Sequence, residues 1–380
     1  MRNAATKFSQ VFFGSHLMDQ EVDEFAAETA QRVEPDRWGG IQEALRAPVR
    51  HLALVNCFTA ADVQERICAS QGLSPHEEIP DLLDCPDQPP SDPQAAAFRA
   101  AAAIGDEAEG ALPRVAAAQG CSPEAPLPLL PCCFVSGASA LAAQALSVAP
   151  GEKVLDLWAG PGAKALVLAA ALFGQGRGGC DQASALELAG AEAGVLAAPE
   201  AGLLVCNEPQ RQRCALLEGV LAAFLPEQML GRHGRVLVTK CEASAKVPPV
   251  LRRHAPFDKV LVDPPCISAR ALAKRRGRSA QQDPAAVKKN ADLMEELLRC
   301  AGALVKPGGL IVFATSSLED EENNEVVRRF LRREGGQFKA EEGQDDSPIA
   351  GAEKTPFGTL ILPDQGTMHG PLYFSKLRRA

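Results

Sequence analysis

Aromatic residues are scarce at 5% of the chain, with one tyrosine, Tyr373, and two tryptophans, Trp38 and Trp158. Any core must therefore rest on Leu, Val, Ala and Phe. No stretch of about 18 consecutive apolar residues occurs, so no membrane-spanning helix and no membrane partner are expected. Positive charge is not in excess: 39 Lys and Arg face 48 Asp and Glu, a net charge of −9, which excludes a uniformly basic coat for nucleic acid but leaves room for a local basic face. Metal-ligand spacing is missing too. The 12 cysteines form no C-x-x-C pair; Cys132 and Cys133 are adjacent, and Cys57, Cys68, Cys206, Cys214 and Cys300 lie in apolar stretches, where a thiol packs as a small hydrophobe. No metal is expected, and the absence of a secretory apolar segment fits free thiols in a reducing compartment. What is present is 380 residues, 46% apolar and 23% charged, enough for two or three domains with a sizeable core.

The chain divides into three zones. Residues 1–78 read as a helical N-terminal segment: Asp23 to Val33 is rich in helix formers, and Trp38, Ile41, Leu45 and Val49 recur at three- and four-residue spacing. Leu52 to Phe58 reads as a buried element. Residues 79–133, broken by Pro80, Pro86, Pro89, Pro90 and Pro93 and then rich in alanine, read as a low-complexity linker. From 134 to 380 short Val/Ile/Leu runs alternate with helical patterns, which implies an α/β domain with a mostly parallel sheet and ligands at the carboxyl ends of its strands. The expected strands are Lys153–Leu157, Leu203–Asn207, Arg235–Thr239, Lys259–Val262, Leu310–Thr315, Thr359–Leu362 and Leu372–Lys376, seven in all. Helices are expected near Ala163–Phe173, Gln210–Phe224, Val287–Val305 and Asn323–Arg333, with Pro307-Gly308-Gly309 stopping the third. Residues 174–200 read as an Ala/Gly/Glu insertion.

The stretch Asp156-Leu157-Trp158-Ala159-Gly160-Pro161-Gly162-Ala163-Lys164 is a strand ending in an acid, a Gly/Pro loop and the start of a helix, an arrangement that suits an anionic group at free helix N–H donors. A glycine loop alone is weak evidence, since such turns are common. The following strands end at Glu208, Glu242 and Asp263. Four acids on successive strand ends favour a nucleoside cofactor, because carboxylates accept hydrogen bonds from ribose hydroxyls.

Phe257-Asp258-Lys259-Val260-Leu261-Val262-Asp263-Pro264-Pro265-Cys266 resembles motif IV of the Nop/Sun family of S-adenosylmethionine-dependent RNA cytosine-5 methyltransferases. Lys306 to Leu318, followed by Glu322-Asn323-Asn324-Glu325-Val326-Val327, is similar to its motif VI region, and Asp156–Lys164 to its motif I. His369 to Arg379, and more weakly Asp36-Arg37-Trp38 through Leu54-Val55-Asn56, resemble the mitochondrial ribosomal-RNA branch. The resemblance implies a class I, Rossmann-like methyltransferase fold over residues 134–380 and S-adenosyl-L-methionine as cofactor. It implies that Gly162, Ala163 and Lys164 hold the methionine moiety, that Glu208 with Arg213 after it binds the ribose, that Glu242 reads the adenine, and that Asp263 stands beside the methyl group and target base. Three positions depart from the family pattern: its double glycine is Gly162-Ala163 here, and Glu208 and Glu242 replace aspartates.

Methylation of cytosine C5 needs a nucleophile at C6. The family's attacking thiol lies in a Thr-Cys-Ser triplet; this chain has Thr315-Ser316-Ser317. A serine has essentially no alkoxide without an adjacent base, whereas a cysteine near pKa 8.5 supplies some thiolate. Two readings stay open: attack by Cys266 of Pro-Pro-Cys, or a catalytically impaired chain that binds RNA as a ribosome-assembly factor. A third, a small-molecule methyltransferase, is disfavoured by the basic stretch after motif IV. There Arg270, Lys274, Arg275, Arg276, Arg278, Lys288 and Lys289 face one acid, Asp283, and are candidate contacts to RNA phosphates, although most charge runs are merely solvated. Arg328, Arg329, Arg332 and Arg333 read as an exposed helix end. Ribosomal RNA is the expected partner, with a helical-repeat targeting protein as a further candidate. The first 18 residues, with Arg2, Lys7, Ser9, Phe12 and Phe13 and no acid, fit a mitochondrial transit remnant as well as an ordinary helix, so another organelle or the cytoplasm stays open.

Overall fold

The computed structural model describes residues 35–77, 79, 82–84, 129–174, 202–244, 246–274, 284–341, 349, 351–365 and 369–380. The expected helix at Asp23–Val33, the insertion at 174–200 apart from Gly174, and nearly all of the proline- and alanine-rich linker lie outside these residues.

Strands β5 (Lys153–Asp156), β6 (Leu203–Asn207), β7 (Val236–Thr239), β8 (Phe257–Val262) and β9 (Val305–Thr315) are parallel, while β13 (Leu372–Arg379) runs antiparallel to β9. Together with β10 (Phe338–Ala340), β11 (Ala352–Lys354) and β12 (Thr359–Ile361) they form a nine-stranded sheet of order β11-β12-β13-β9-β8-β5-β6-β7, with β10 paired to β13. Sequence reading expected seven strands. The two extra ones are three residues long and lie at the margin, with too little apolar alternation to be seen. The strand order reverses beside β5, between β6 and β8, and such a switch point opens a crevice at the carboxyl ends.

Helices cover both faces. On one lie α3 (Gly137–Ala145), α4 (Ala163–Phe173) and α5 (Arg211–Phe224), sharing a core with Val154, Leu204, Val312 and Ala314. On the other lie α6 (Pro249–Arg252), α8 (Pro284–Leu304) and α9 (Asn324–Arg333), packed on Leu155, Val260, Phe313 and Tyr373. Near-continuous burial of β8 and β9 is what two covered faces require. Helix α8 ends at Leu304 and runs directly into β9, so Pro307-Gly308-Gly309 lies within the strand, Pro307 and Gly308 exposed and Gly309 buried, rather than stopping the helix; Gly308 takes φ +74° there. No described helix is long and apolar enough to cross a membrane.

The N-terminal segment is only partly helical. Helices α1 (Pro35–Arg46) and α2 (Ala61–Gln71) accompany strands β1 (His51–Val55), β2 (Ser74–Pro75), β3 (Leu83–Asp84) and β4 (Cys132–Ser136) in an antiparallel sheet of order β2-β3-β1-β4. Both ends of the expected linker are thus strands. β1 pairs with β4 across more than 80 residues, His51 opposite Ser136, a contact no local pattern reveals. Trp38, Ile41 and Leu45 are buried as their spacing predicts, against Ala269 and Leu362. Buried Asn56 stitches this sheet to the end of α5: its Nδ2 donates to Leu130 O and Phe224 O, both at 2.7 Å, and its Oδ1 accepts from Phe58 N–H at 2.9 Å.

A second stitch is a histidine pair. His76 Nε2 lies 3.0 Å from His369 Nε2, and Ile79 N–H donates to His76 Nδ1. The His369 ring lies against Gly137, where an added Cβ would fall 2.0 Å from Nδ1 and 2.7 Å from Cγ. Gly137→Ala should therefore destabilise the chain by about 2 kcal/mol. Thermal unfolding should show a midpoint lower by several degrees; an unchanged midpoint would mean the ring can move.

Candidate active site

Three loops meet at the carboxyl ends of β5, β8 and β9. The first, Leu157 to Gly162, leads into α4, whose N-cap Gly162 has φ +120° and makes no side-chain cap. A β-carbon there would meet Val220 at 2.9 Å. The first N–H groups of α4 are left for a ligand, as at any uncapped helix start. The second loop is Asp263-Pro264-Pro265-Cys266 after β8, and the third is Ser316-Ser317 after β9. Lys164 of α4 reaches across to the second, its Nζ 2.6 Å from Asp263 Oδ2, and donates to Ser139 Oγ at 3.3 Å. Burial pulls its ammonium pKa down, but the charge and hydrogen bond of Asp263, with Asp156, outweigh this and hold it above the usual lysine value.

Cys266 and Ser316 touch. The sulfur lies 3.3 Å from Ser316 Oγ and accepts from Ser316 N–H at 3.3 Å. Burial pushes the thiol pKa up to about 11, with Asp263 and Glu322 adding to the rise and the Ser316 hydrogen bonds opposing it. Lys164, Asp263, Cys266 and Ser316 all line one cleft of about 450 Å³, with Ser139, Arg270 and His369 on its walls. That volume suits a small ligand or a single base. Asp156 at the end of β5 is wholly buried, and burial raises its pKa to about 7 against the pull of Lys164 and of the Trp158 backbone N–H. Among the described residues, no group of three or more His, Cys, Asp or Glu is arranged to hold a metal ion.

Residues 197–378 match the family described as 16S rRNA methyltransferase RsmB/F. The chain is 28% identical to the mouse mitochondrial tRNA (cytosine(34)-C(5))-methyltransferase, over 65% of this chain and 63% of that one. It is 26% identical to the bovine 5-cytosine rRNA methyltransferase NSUN4, over 65% and 59% of the two chains. Over this region the chain is similar to RsmB/F and NSUN cytosine-5 methyltransferases. It spans less than two thirds of the length of these curated relatives. Two solved structures share its fold: a methyltransferase homologue from Pyrococcus horikoshii, at TM-score 0.59 and 17% identity over 96% of this chain and 99% of that one, and NSun6 from the same organism, at TM-score 0.58 and 16% identity over 93% and 97%.

Against the family pattern, the expected residues fall into three groups. Lys164, Asp263, Cys266 and Ser316 are brought together at one cleft, and Gly162 and Ala163 sit at the start of the helix that carries Lys164. The two glutamates behave differently. Glu208 is wholly buried and turned into the protein: Oε2 accepts from Gly160 N–H at 3.1 Å and from Arg213 Nε at 3.2 Å, while Oε1 accepts from Gln210 N–H at 3.0 Å. Arg213 also donates to Gly160 O. In this arrangement the pair clamps the motif I loop to α5. Glu242 is exposed, its Oε1 accepting from Ala243 N–H at 3.1 Å and Ser244 N–H at 3.3 Å.

The basic stretch is split. Arg275, Arg276 and Arg278 lie outside the described residues; Lys274 ends α7 (Ala269–Lys274), and Lys288 and Lys289 are exposed in the first turns of α8. Arg270 is no free phosphate ligand in this structure. Its guanidinium donates to Gly370 O at 3.0 Å and to Ala44 O, Leu45 O and Ala47 O at 3.1, 3.4 and 3.1 Å, capping the end of α1. The α9 arginines are mostly paired, Arg328 with Glu325, Arg329 with Asp292 and Glu295, and Arg333 with Glu295.

Sequence reading missed Asn207 and Glu322. Asn207 joins three strand ends, donating to Leu157 O and Cys241 O and accepting from Thr239 Oγ1 and Cys241 N–H. Its place beside Glu208 at a strand end was the available signal.

Proposed function

We propose that this chain is an S-adenosylmethionine-dependent RNA cytosine-5 methyltransferase acting on mitochondrial ribosomal RNA, with Cys266 rather than residue 316 as the nucleophile. One observation carries the reading: a thiol, a hydroxyl, a carboxylate and an ammonium from three loops share one cleft at the sheet's switch point. The rRNA description of the matched family and the mitochondrial names of relatives support the substrate and compartment.

The residues fit the cofactor best at its amino-acid end. The open N–H groups of α4 and the Lys164 ammonium suit a carboxylate, and the buried Asp156 carboxylate suits positive charge nearby. Glu208 supports the nucleoside side through the loop it clamps, and a ribose would compete with Gly160 N–H for it; Glu242 is free to meet an adenine. When bound, the cofactor supplies an electrophilic methyl group. Cys266 loses its proton to solvent and adds to C6 of a single-stranded or flipped cytosine, which makes C5 nucleophilic. After C5 takes the methyl, a solvent water accepts the C5 proton, and the electrons of that C–H bond restore the C5–C6 double bond and expel the thiolate. Ser316 donates to the sulfur, Lys164 supplies the positive field that favours thiolate, and Asp263 stands beside the base. Exposed Lys274, Lys288 and Lys289 offer phosphate contacts that would position RNA without reading its sequence.

The test is transfer of labelled methyl to mitochondrial rRNA, with label recovered as 5-methylcytidine. Label in tRNA alone would shift the substrate, and cofactor binding without transfer to any RNA would leave an assembly factor. The thiol's elevated pKa fixes the sign of the pH dependence. The thiolate is the minor form at neutral pH, so kcat/KM should climb nearly tenfold per unit from pH 7 toward 10. A profile flat over that range would contradict attack by this thiol.

A further inference from the structure

Glu322 is a wholly buried carboxylate that the chemistry above does not use. It closes the short turn Asp320–Glu322 that follows the Ser316 loop. Both its oxygens accept from Ile267 N–H, at 3.0 and 3.3 Å, and Oε1 also accepts from Asn290 Nδ2 at 2.8 Å. These donors are neutral. A buried carboxylate without a cation costs several kcal/mol, and an apolar side chain of the same volume would pack at lower cost. The charge is placed at one spot: Ile267 N–H belongs to the peptide immediately after Cys266. Two more ties close the same loop, Ala269 N–H to Ser316 O at 3.2 Å and Ser316 N–H to Cys266 Sγ at 3.3 Å.

We propose that Glu322 is the positioning residue for the reacting thiol, gripping the peptide next to Cys266 so that the sulfur is held at the cleft beside Ser316. The proposal rests on the reading of Cys266 as the nucleophile. Its charge has a second consequence. Glu322 and Asp263 set negative charge against the thiolate, while Lys164 from α4 and the Ser316 hydroxyl and N–H favour it. Glu322 thus holds the thiol in place while its charge opposes ionisation.

The experiment follows alkylation of Cys266 by iodoacetamide against pH in the full chain, read on the Cys266 peptide by mass spectrometry, beside methyl-transfer kinetics. Glu322→Gln keeps an acceptor for Ile267 N–H and removes the charge. Its alkylation profile should move to lower pH by about half a unit, roughly threefold faster at pH 8, with KM for RNA unchanged. Glu322→Ala releases the loop and should lower kcat about tenfold or more, with Glu322→Gln restoring most of that loss. An alkylation profile in Glu322→Gln that superimposes on wild type overturns the proposal, and this variant decides the matter even if Glu322→Ala fails to fold. Alkylation needs neither RNA nor methyl donor, so the two readings fail separately. Methylation by Cys266→Ala would refute the nucleophile, whereas an unshifted profile beside an inactive Cys266→Ala would refute Glu322 alone.

Discussion

Replacing Cys266 with alanine should lower kcat for RNA methylation by at least about 10³-fold while the chain stays folded. The expectation follows from what else the cleft contains. Ser316, 3.3 Å away, has the right position but no means of ionising. The histidine on the cleft wall cannot serve it: burial lowers His369 to a pKa of about 4, with His76 and Arg50 adding to the drop, and its Nε2 is occupied by His76. Asp263 is bound to Lys164 and is a weak base for an alcohol. The thiol starts at a disadvantage as well. With a pKa near 11, forming thiolate at pH 7.5 costs about 5 kcal/mol. A serine with a pKa several units higher adds a further barrier of similar size. Cys266→Ser is the sharper control, since it keeps the contact with Ser316; it should be as inactive as the alanine variant. If it retained activity, the sulfur would be a packing group and no more.

Lys164→Met should lower kcat/KM by about 10²- to 10³-fold, mostly as weaker binding of the methyl donor. Lys164 is the cation shared by two carboxylates, bonded to Asp263 at 2.6 Å and facing buried Asp156. Methionine keeps the apolar stem and removes the charge, which leaves Asp263 without its partner and Asp156 with only other acids nearby. The sign for Asp156 is fixed. Its pKa, already near 7 through burial and held down by Lys164, should rise further, so it should be protonated at neutral pH in the variant. Its share of the attraction for a positively charged donor is then lost. Calorimetric titration with S-adenosylmethionine checks this, and affinity within threefold of wild type would show that the ammonium only braces the loop.

Strand ends and motif loops were legible in the sequence because their grammar is local. A Val/Ile/Leu run followed by Asp-Pro-Pro-Cys or by a Gly/Pro turn marks a strand end and its loop without knowledge of the rest of the chain. The motif VI departure at Ser316 was legible for the same reason. The partners of these loops were not. Glu322 reads only as the start of the stretch that follows motif VI, and folding alone brings it to Ile267, 55 positions away. Arg270 reads as the first of a run of cations, yet three of the four carbonyls that bind it lie at the end of α1, more than 220 residues earlier, and the fourth is Gly370 O. Glu208 was placed at the right strand end, but the longer side chain that departs from the family aspartate reaches back to Gly160 and Arg213, which no spacing rule foresees. The N-terminal sheet escaped because β1 finds its partner across the linker, and β2 and β3 are two residues each.

The most direct measurement is covalent trapping. The wild-type chain is incubated with S-adenosylmethionine and rRNA carrying 5-fluorocytidine, whose C5 substituent cannot leave as a proton. The protein–RNA adduct is then digested and the linked peptide sequenced by mass spectrometry. The account predicts an adduct on Cys266, absent from Cys266→Ala. A cross-link on any other residue, or none from a chain that methylates ordinary RNA, would contradict it.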